Sequence, residues 1–415
     1  MAVQVLSDMS AFLREWFVSE TAEIMSYRSA PLFSWLQKNA SQDGAGGSQA
    51  KFPLVSALGG GASATFSSAQ SDTSTSTATG FVFPWTKHYA AIQLDRLAMM
   101  ATTPAGKKAI MEKLKVEIEA KTRLFKETLN AKLYRNGTGS RGQRASVSSN
   151  TITFVNAHDA HCWEVGMTVV AASSETGALR AGSTTVTKVT RPYGTATTGS
   201  ITVASAAAIT SFADNDYLFI SGDAQAGASA PICVYGLDAL FPTSDPGGLD
   251  SFGGINRSQD PVRLAGVRVD GAQLSVRDAL IQLVEDTMDV PSAIFTHPNV
   301  ITALKRSENN SVRYTEVTSS TKAKLSFNAV AIDTAKGVIP IIGDRHCFVN
   351  RAYALHAPTL YLSCVNPQLP DFVVGDDGQK IIMPSSDGYE IRLTGYMAFG
   401  STAPGNNGVA FNLSV

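Results

Sequence analysis

The chain has 415 residues, of which 44% are apolar and only 17% are charged, against about 25% charged residues in typical soluble proteins. At about 150 residues per domain, this length predicts two or three domains. The 34 Lys and Arg residues nearly balance the 35 Asp and Glu residues, which argues against nucleic-acid binding as the main function because such binding needs clustered cations, and no apolar run of about 18 residues predicts a membrane span.

The first 49 residues are predicted to form an arm. Trp16 and Phe17 belong to an apolar face at near-helical spacing behind a capping Ser10, whereas Phe33 and Trp35 follow without clear periodicity. A terminal segment so rich in large apolar side chains must cover either the core of its own chain or a neighbouring subunit.

Residues 50–92 are predicted to form a long β-hairpin that projects from the body. Nine of the fifteen residues from 66 to 80 are Ser or Thr, and Asp72 carries the single charge, so this segment cannot bury enough apolar surface to fold alone. Its Thr-rich alternation favours a two-stranded ribbon, with residues 80–84 and 89–94 supplying the returning strand. Because an isolated hairpin is marginal in water, we expect it to lie on a partner.

Residues 104–135 carry the strongest local signal in the chain, which predicts one long helix. Thr103 can cap the helix, Pro104 occupies its first position, and the Asn136-Gly137 pair ends it. Its apolar face comprises Ile110, Leu114, Ile118, Phe125, Leu129 and Leu133. Of its 32 residues, 13 are charged and nine of these are positive. We interpret the charged side as a solvated face; contact with acidic partner surfaces or packaged nucleic acid is the alternative.

After residue 150 the sequence changes to short alternating runs separated by Gly, Asn, Asp and Ser. The runs cover residues 151–155, 167–172, 184–190, 201–203 and 217–221. Several short strands at such spacing predict a small β-barrel or sandwich, which we interpret as an inserted domain.

From residue 226 onwards the pattern mixes helices and strands. One helix is predicted over residues 275–289, where Ser275 and Asp278 have the spacing of a capping box, and another over residues 298–306, where His297 is interpreted as a cap. Predicted strands cover residues 294–296, 338–342, 348–349, 352–355, 359–364, 389–393, 396–399 and 409–413.

The sequence offers little catalytic or metal-binding chemistry. It lacks the phosphate loops, nucleophile elbows and zinc-peptidase motifs of common enzyme classes. His158, His161 and Cys162 are suitable zinc ligands, but only the distant His346 and Cys347 could complete a site, so we interpret them as polar loop residues. The four scattered cysteines are predicted to be reduced. We therefore expect no enzyme, no cofactor and no bound metal.

The order of these parts resembles the major capsid proteins of tailed bacteriophages, the Hong Kong 97 type of fold. Single stretches also resemble that family: YGLD at 235–238 followed by FGGINRS at 252–258, the helix–strand–helix over 274–304, GVIPII at 337–342, NRAYAL at 350–355, and residues 389–395 with 404–406. Together these features cover nearly the whole chain except residues 151–222, which resemble the β insertions of some members.

The resemblance implies an α+β fold of the Hong Kong 97 type with an inserted small β-barrel or sandwich. Its parts would be an N-terminal arm (residues 1–49), an extended β-hairpin loop (50–92), a peripheral domain with the spine helix (93–150), the inserted β domain (151–225), an axial domain (226–365) and returning strands (366–415).

The resemblance also implies a structural protein that assembles through pentamers and hexamers into the icosahedral shell of a virion. Such a shell is built in the cytoplasm of the bacterial host. It encloses double-stranded DNA without binding a specific sequence, and no membrane is an implied partner. Scaffold, portal and decoration proteins are the implied partners, and since no long scaffolding segment precedes the arm, we expect a separate scaffold or a decoration protein. The alternative is the shell of an encapsulin-like nanocompartment, which shares the fold and encloses a cargo enzyme.

Aromatic side chains supply the predicted contacts between subunits, because large aromatic groups dominate many protein interfaces. The predicted contact residues are Trp16, Phe17, Phe33 and Trp35 in the arm and Phe66, Phe81, Phe83 and Trp85 in the hairpin. Some family members join Lys to Asn covalently; Lys51 and Lys87 flank the hairpin here, but no matching acceptor is identified.

Overall fold

The structure is a computed structural model of the 415-residue chain. It describes residues 30–39, 47–95, 104–192, 198–228, 230–247, 251–307, 330–365, 369–373, 381–382 and 388–414. The helix predicted around Trp16 and Phe17 lies outside these residues, and so do the side chains of Ile110 and Leu114 in the long helix.

The described residues form helices and strands throughout. The α-helices are α1 (Pro31–Asn39), α2 (Phe66–Ser71), α3 (Pro104–Leu133), α4 (Leu237–Leu240), α5 (Pro261–Ala265), α6 (Val276–Asp286) and α7 (Pro298–Ser307). The strands of the N-terminal half are β1 (Gln49–Ala57), β2 (Thr77–Pro84), β3 (Thr86–Asp95), β4 (Arg144–Ser148), β5 (Thr151–Phe154), β6 (Thr168–Ala172), β7 (Thr184–Thr190), β8 (Ser200–Val203) and β9 (Tyr217–Ile220). Those of the C-terminal half are β10 (Ser251–Phe252), β11 (Ile255–Asn256), β12 (Val267–Asp270), β13 (Ala293–Thr296), β14 (Val330–Thr334), β15 (Gly337–Gly343), β16 (Ala352–Leu355), β17 (Leu360–Cys364), β18 (Asp371–Phe372), β19 (Ile381–Ile382), β20 (Gly388–Ser401) and β21 (Gly408–Phe411). None of the helices in this part of the chain combines the length and apolar character needed to cross a membrane.

A mixed six-stranded sheet organises the C-terminal half, in the order β12-β21-β16-β13-β15-β14. Its central strands β13 and β16 are buried at every residue, as expected where both faces of a sheet are covered. Alternate residues of β13 enter two different cores. Ile294 packs with α6 and α7, whereas Phe295 packs with α1 and α3 on the opposite face.

The second sheet is built around β20, which pairs with a strand from the N-terminal half. β3 lies antiparallel to β20 over ten residue pairs, from Thr86↔Met397 to Asp95↔Gly388. The prediction of one hairpin over residues 50–92 is therefore corrected: β1 pairs with β2, whereas β3 joins the body. β3 belongs there because Thr86 and Ile92, on one face of the strand, are buried and the strand contacts α3.

The hairpin of β1 and β2 continues into a long tip formed by residues 58–76. The prediction of a Ser/Thr-rich ribbon from residue 66 is wrong in part, because residues 66–71 form α2 and the strand starts only at Thr77. A helical turn satisfies backbone groups locally: the Ala69 N–H donates to the Thr65 carbonyl, and the Thr73 hydroxyl donates to the Ala69 carbonyl.

The long helix α3 agrees closely with its prediction. It spans 30 residues, or about 45 Å at 1.5 Å per residue. Phe125, Leu129 and Leu133 of the predicted apolar face are buried. Lys132 departs from the prediction of a solvated charged face, since it is buried and its Nζ lies 2.8 Å from Asp223 Oδ1.

A buried carboxylate, Asp344, joins α1 and α3 to the loop before β16. Its Oδ2 accepts hydrogen bonds from Asn130 Nδ2 (2.8 Å), the Tyr134 hydroxyl (3.0 Å) and the Leu32 backbone N–H (3.4 Å). Its Oδ1 accepts from the backbone N–H of His346 (2.9 Å). Burial alone would raise the pKa of Asp344, but these donors and the proximity of His346 lower it below the usual value, so the group is ionised at neutral pH.

Six short strands between residues 144 and 220 form a separate antiparallel sheet in the order β4-β5-β8-β7-β6-β9. The two edge strands are linked through the residues before β4, because the Arg141 N–H donates to the Leu218 carbonyl (2.8 Å) and the Leu218 N–H donates to the Gly142 carbonyl (2.9 Å). Ile152, Trp163 and Leu218 belong to a core within this unit. The first strand begins before the predicted boundary at residue 151.

Two helix-capping predictions are confirmed. The Asp278 N–H donates to Ser275 Oγ (3.1 Å), and that hydroxyl donates in return to Asp278 Oδ2 (2.7 Å), as in a capping box. At the start of α7, the Asn299 N–H donates to His297 Nδ1 (3.2 Å).

Two other local predictions are corrected. Residues 31–39 show no clear periodicity in the sequence but form helix α1, because tertiary contacts bury Leu32 and Leu36. Residues 348–349 are not a strand: the chain turns there, and the Arg351 N–H donates to the Phe348 carbonyl.

Candidate subunit interface

The described aromatic residues of the arm lie in the core of their own chain. Phe33 is fully buried, and its backbone N–H donates to a side-chain amide oxygen of α3 (3.0 Å). Trp35 is 6% exposed and packs edge-to-face on Phe295, with ring centroids 5.3 Å apart. Their own chain therefore covers both side chains, and the predicted contact of these two residues with another subunit stays a prediction. Trp16 and Phe17 lie outside the described residues.

Phe81 and Phe83 are also buried, and they attach the hairpin to the body. Their rings stack with centroids 5.9 Å apart. Phe83 further contacts Tyr235 (5.0 Å) and Phe252 (5.1 Å). Residues far along the chain thus cover both rings, and the predicted contact of Phe81 and Phe83 with another subunit stays a prediction.

Trp85 and Phe66 differ from this pattern. Trp85 is half-buried at the hairpin base, where its Nε1–H donates to the Gly47 carbonyl (3.0 Å). Phe66 in α2 is 82% exposed. Of the predicted interface residues within the described ranges, Phe66 alone presents most of its side chain to solvent.

The hairpin tip is a surface without cover from the rest of the described chain. Leu58 is 73% exposed, and α2 has no buried residue. The two sides of the tip are connected to each other, since Gly60 N–H donates to Ser74 Oγ (2.5 Å). Gly59 has φ +80° and lies so close to the segment before β2 that a Cβ atom would stand 2.3 Å from the Ser74 carbonyl oxygen. An uncovered element of this kind is suited to contact another molecule.

A groove of about 650 Å³ lies between β3, α3 and the turn that follows β9. Its walls include the apolar side chains of Leu124, Met167 and Ile220 and the cationic side chains of Lys87 and Lys121. It is therefore both apolar and positively charged.

A charged network lies at one side of this groove. Asp223 pairs with Lys132 (2.8 Å) and lies 3.6 Å from Arg141 Nη2. Burial alone would raise the pKa of Asp223, but these two cations lower it. Lys132 Nζ also donates to His88 Nδ1 (3.2 Å), and His88 Nε2 lies 2.9 Å from the Thr128 hydroxyl. Burial, and next the Lys132 charge, lower the pKa of His88 to about 3, so His88 is neutral at pH 7. The remaining charged groups, Lys132, Arg141 and Asp223, give the network a net positive charge.

Four of the six histidines meet where the six-stranded β unit contacts the core sheet. The His158 ring lies 5.8 Å from that of His161 and 4.6 Å from that of His297. Burial, and next the charges of neighbouring groups that include His158 and His346, lower the pKa of His161 to about 4. Burial, and next the charges of His158 and His161, lower the pKa of His297 to about 3. In the part of the chain that is described, no group of three or more His, Cys, Asp or Glu residues is placed to hold a metal ion.

Arg141, Asp223 and Asp344 were not predicted as site residues, although Asp344 follows the stretch at 337–342 on which the family resemblance rests. Each lies in a loop, far along the chain from the groups that it contacts. No local spacing could have indicated these partners.

Solved structures resemble this chain over nearly its whole length. No protein-family model matches the sequence, and no curated protein sequence matches it. The subunit in the capsid asymmetric unit of cyanophage A-1(L) is similar over 98% of this chain and 98% of its own, with 13% identity and a TM-score of 0.53. The capsid of a native GTA particle (8% identity, TM-score 0.49, all of both chains) and the SrpI encapsulin complex of Synechococcus elongatus PCC 7942 (10%, 0.48, 100% of this chain and 97% of that one) are also similar. The chain therefore has the fold of the major capsid proteins of tailed bacteriophages, the Hong Kong 97 type of fold that its sequence resembles.

Proposed function

We propose that this chain is a major capsid protein, a structural subunit that assembles through pentamers and hexamers into the icosahedral shell of a bacteriophage and encloses its DNA. The observation that carries the proposal is the extent of the similarity to the cyanophage capsid subunit, which covers 98% of both chains. A likeness over that extent includes the N-terminal helix, the hairpin, the long helix and both major sheets, and is not confined to one common module.

The uncovered hairpin supports an assembling function. Its tip has large apolar side chains in solvent, Leu58 and Phe66, which a subunit would cover on assembly. The low charge content also supports it, because surfaces buried against copies of the same chain need few charged groups. In a shell of this kind DNA is enclosed without sequence readout, and the subunit needs no cofactor and catalyses no reaction.

The β unit is the part that this proposal treats as an addition to the fold. We assign residues 151–225, together with β4 before them, to an inserted β domain of barrel type. In support, the unit has its own core around Trp163, and hydrogen bonds connect its two edge strands. We propose a decoration protein bound to this domain as one partner of the assembled virion. Scaffold and portal proteins are the further partners that we propose, and assembly would take place in the bacterial cytoplasm.

Electron microscopy and light scattering of the purified recombinant chain test the proposal. We expect closed shells, or pentamers and hexamers that close when a scaffold is supplied. A chain that stays monomeric or dimeric under all conditions would contradict it. Particles isolated from the native source then separate the two shell classes, because phage capsids contain DNA and a nanocompartment contains a protein cargo.

A further inference from the structure

Asn299, at the start of α7, bridges two histidines at the junction where the six-stranded β unit contacts the core sheet. Its backbone N–H donates to His297 Nδ1 (3.2 Å), and its side-chain Nδ2 lies 3.3 Å from His158 Nε2 of the β unit. Because both groups of Asn299 can only donate, each of these ring nitrogens must accept. The bridge therefore exists only while neither ring has a proton on the accepting nitrogen.

The other nitrogens of the two rings have no partner that could compensate for the loss of this bridge. In the neutral rings the proton lies on His158 Nδ1 and on His297 Nε2. Both atoms are buried and have no hydrogen-bond partner among the described residues. A second proton on either ring would place an N–H group against a donor of Asn299 and bury it without an acceptor, which is costly.

The groups that face this cluster from the neighbouring elements are mainly cationic. His161 of the β unit lies near Arg191 of the same unit and near Arg345 and His346 of the loop before β16. Arg345 also lies near His297. Protons that bind to the cluster would therefore add positive charge to a site that already has it.

Two carboxylates lie beside the cluster, and both are already engaged. Asp344 accepts the hydrogen bonds described above from α1, α3 and its own loop. Asp159, next to His158 in the chain, accepts from Arg135 Nη2 (2.7 Å), which is a second connection between the β unit and the core. Burial raises the pKa of Asp159 although the Arg135 charge opposes it. Acid therefore weakens this second connection as well.

We propose that the junction is an acid-sensitive switch: protonation of His158 and His297 breaks the Asn299 bridge, and the β unit moves away from the core sheet while both parts stay folded. The β unit can stay folded because it has its own core around a buried tryptophan. The ion pair of Lys132 with Asp223 keeps the unit attached, since neighbouring cations lower the pKa of Asp223 and it stays ionised in weak acid. This inference concerns the single subunit and goes beyond the proposed capsid function.

The response is expected between pH 6.5 and about pH 4. A released ring titrates near the ordinary histidine pKa of about 6.5, whereas burial lowers the pKa to about 4 for His161 and to about 3 for His297 in the closed junction. Acid favours the state in which the pKa is higher. Each of these rings should therefore shift the equilibrium towards the open junction by about tenfold per pH unit below 6.5.

Distances between spin labels on the purified chain test the switch. The native cysteines are each at most 6% exposed, so the labels attach to added thiols. Lys188→Cys on β7 and Thr302→Cys on α7 place labels at exposed positions of the β unit and of the core. Pulsed electron paramagnetic resonance should show a longer distance at pH 4.5 than at pH 7.5. A pair within the core, Thr302→Cys with Asp333→Cys, should keep its distance.

Variants that keep the acceptors but cannot take up a proton identify the cause. His158→Gln and His297→Asn place an amide oxygen where each ring nitrogen accepts. The double variant should keep the closed distance at pH 4.5, and each single variant should open at a lower pH than the wild type. His356→Gln lies outside the cluster and is the matched control, with an unaltered acid response.

Three results would overturn the inference: an unchanged distance in the wild type, an equal acid response in the double variant, or a simultaneous change of the core pair, which would mean general unfolding. An unchanged melting midpoint at pH 7.5 shows that each variant is folded. Since the distances are measured within one subunit, failure of the switch leaves the proposed capsid function intact, and failure of assembly leaves the switch intact.

Discussion

Replacing Asp344 by Ala removes the acceptor that joins α1 and α3 to the loop before β16. The Tyr134 hydroxyl and the His346 backbone N–H lose their acceptor within a buried site. Asn130 Nδ2 keeps its contact with His346 Nδ1 (3.1 Å), and the Leu32 N–H loses only a long bond of 3.4 Å.

The expected cost follows from these contacts. Each buried donor left without a partner costs about 1–3 kcal/mol, and two are fully orphaned. The small cavity adds to this loss, whereas removal of a buried charge offsets part of it. We expect the free energy of unfolding to fall by about 3–5 kcal/mol, and by less in Asp344→Asn, which retains one acceptor oxygen.

Urea unfolding of the purified chain measures this loss, followed by circular dichroism and by tryptophan fluorescence. Trp35 in α1 reports on the region because it packs against Phe295 beside the site. Asp333→Ala removes an exposed carboxylate of β14 and is the matched control, with an expected change within about 0.5 kcal/mol. If Asp344→Ala lowered stability no more than this control, the carboxylate would not hold the elements together as argued.

Three further outcomes are expected. The pKa values of His161 (about 4) and His297 (about 3) are lowered in the folded chain, so below pH 6.5 the unfolded chain binds more protons than the folded one. The free energy of unfolding should therefore fall as the pH drops from 6.5 towards 4. A melting midpoint that stays flat over this range would contradict the burial of these rings. Phe83→Ala should destabilise the chain by about 3–5 kcal/mol, whereas the exposed Phe66→Ala should leave the melting midpoint nearly unchanged; equal shifts in calorimetry would refute the assignment of Phe83 to the core. Ser275→Ala removes the cap of α6 and should cost about 1 kcal/mol in urea unfolding, with a Ser275→Thr variant recovering most of the loss.

Local signals were sufficient for several elements. The helix from Pro104 was predictable because a proline at its start, an Asn136-Gly137 stop and a repeating apolar face all act within a few residues of one another. The strand β7 was predicted at its observed bounds from the alternation of its residues. The order of these elements along the chain was enough to indicate the capsid fold.

The pairing and burial of residues far apart along the chain were decided only by the tertiary structure. Nothing near β3 indicates that it pairs with β20, since that choice depends on which faces the whole chain can bury. For the same reason, Phe33 and Phe83 could be recognised as large apolar groups that need cover, but not as groups that their own chain covers. The sequence by itself determined the elements and their order, because caps and periodicity are local; the tertiary structure decided which surfaces remain exposed for a second subunit, because exposure is what remains after all long-range contacts have formed.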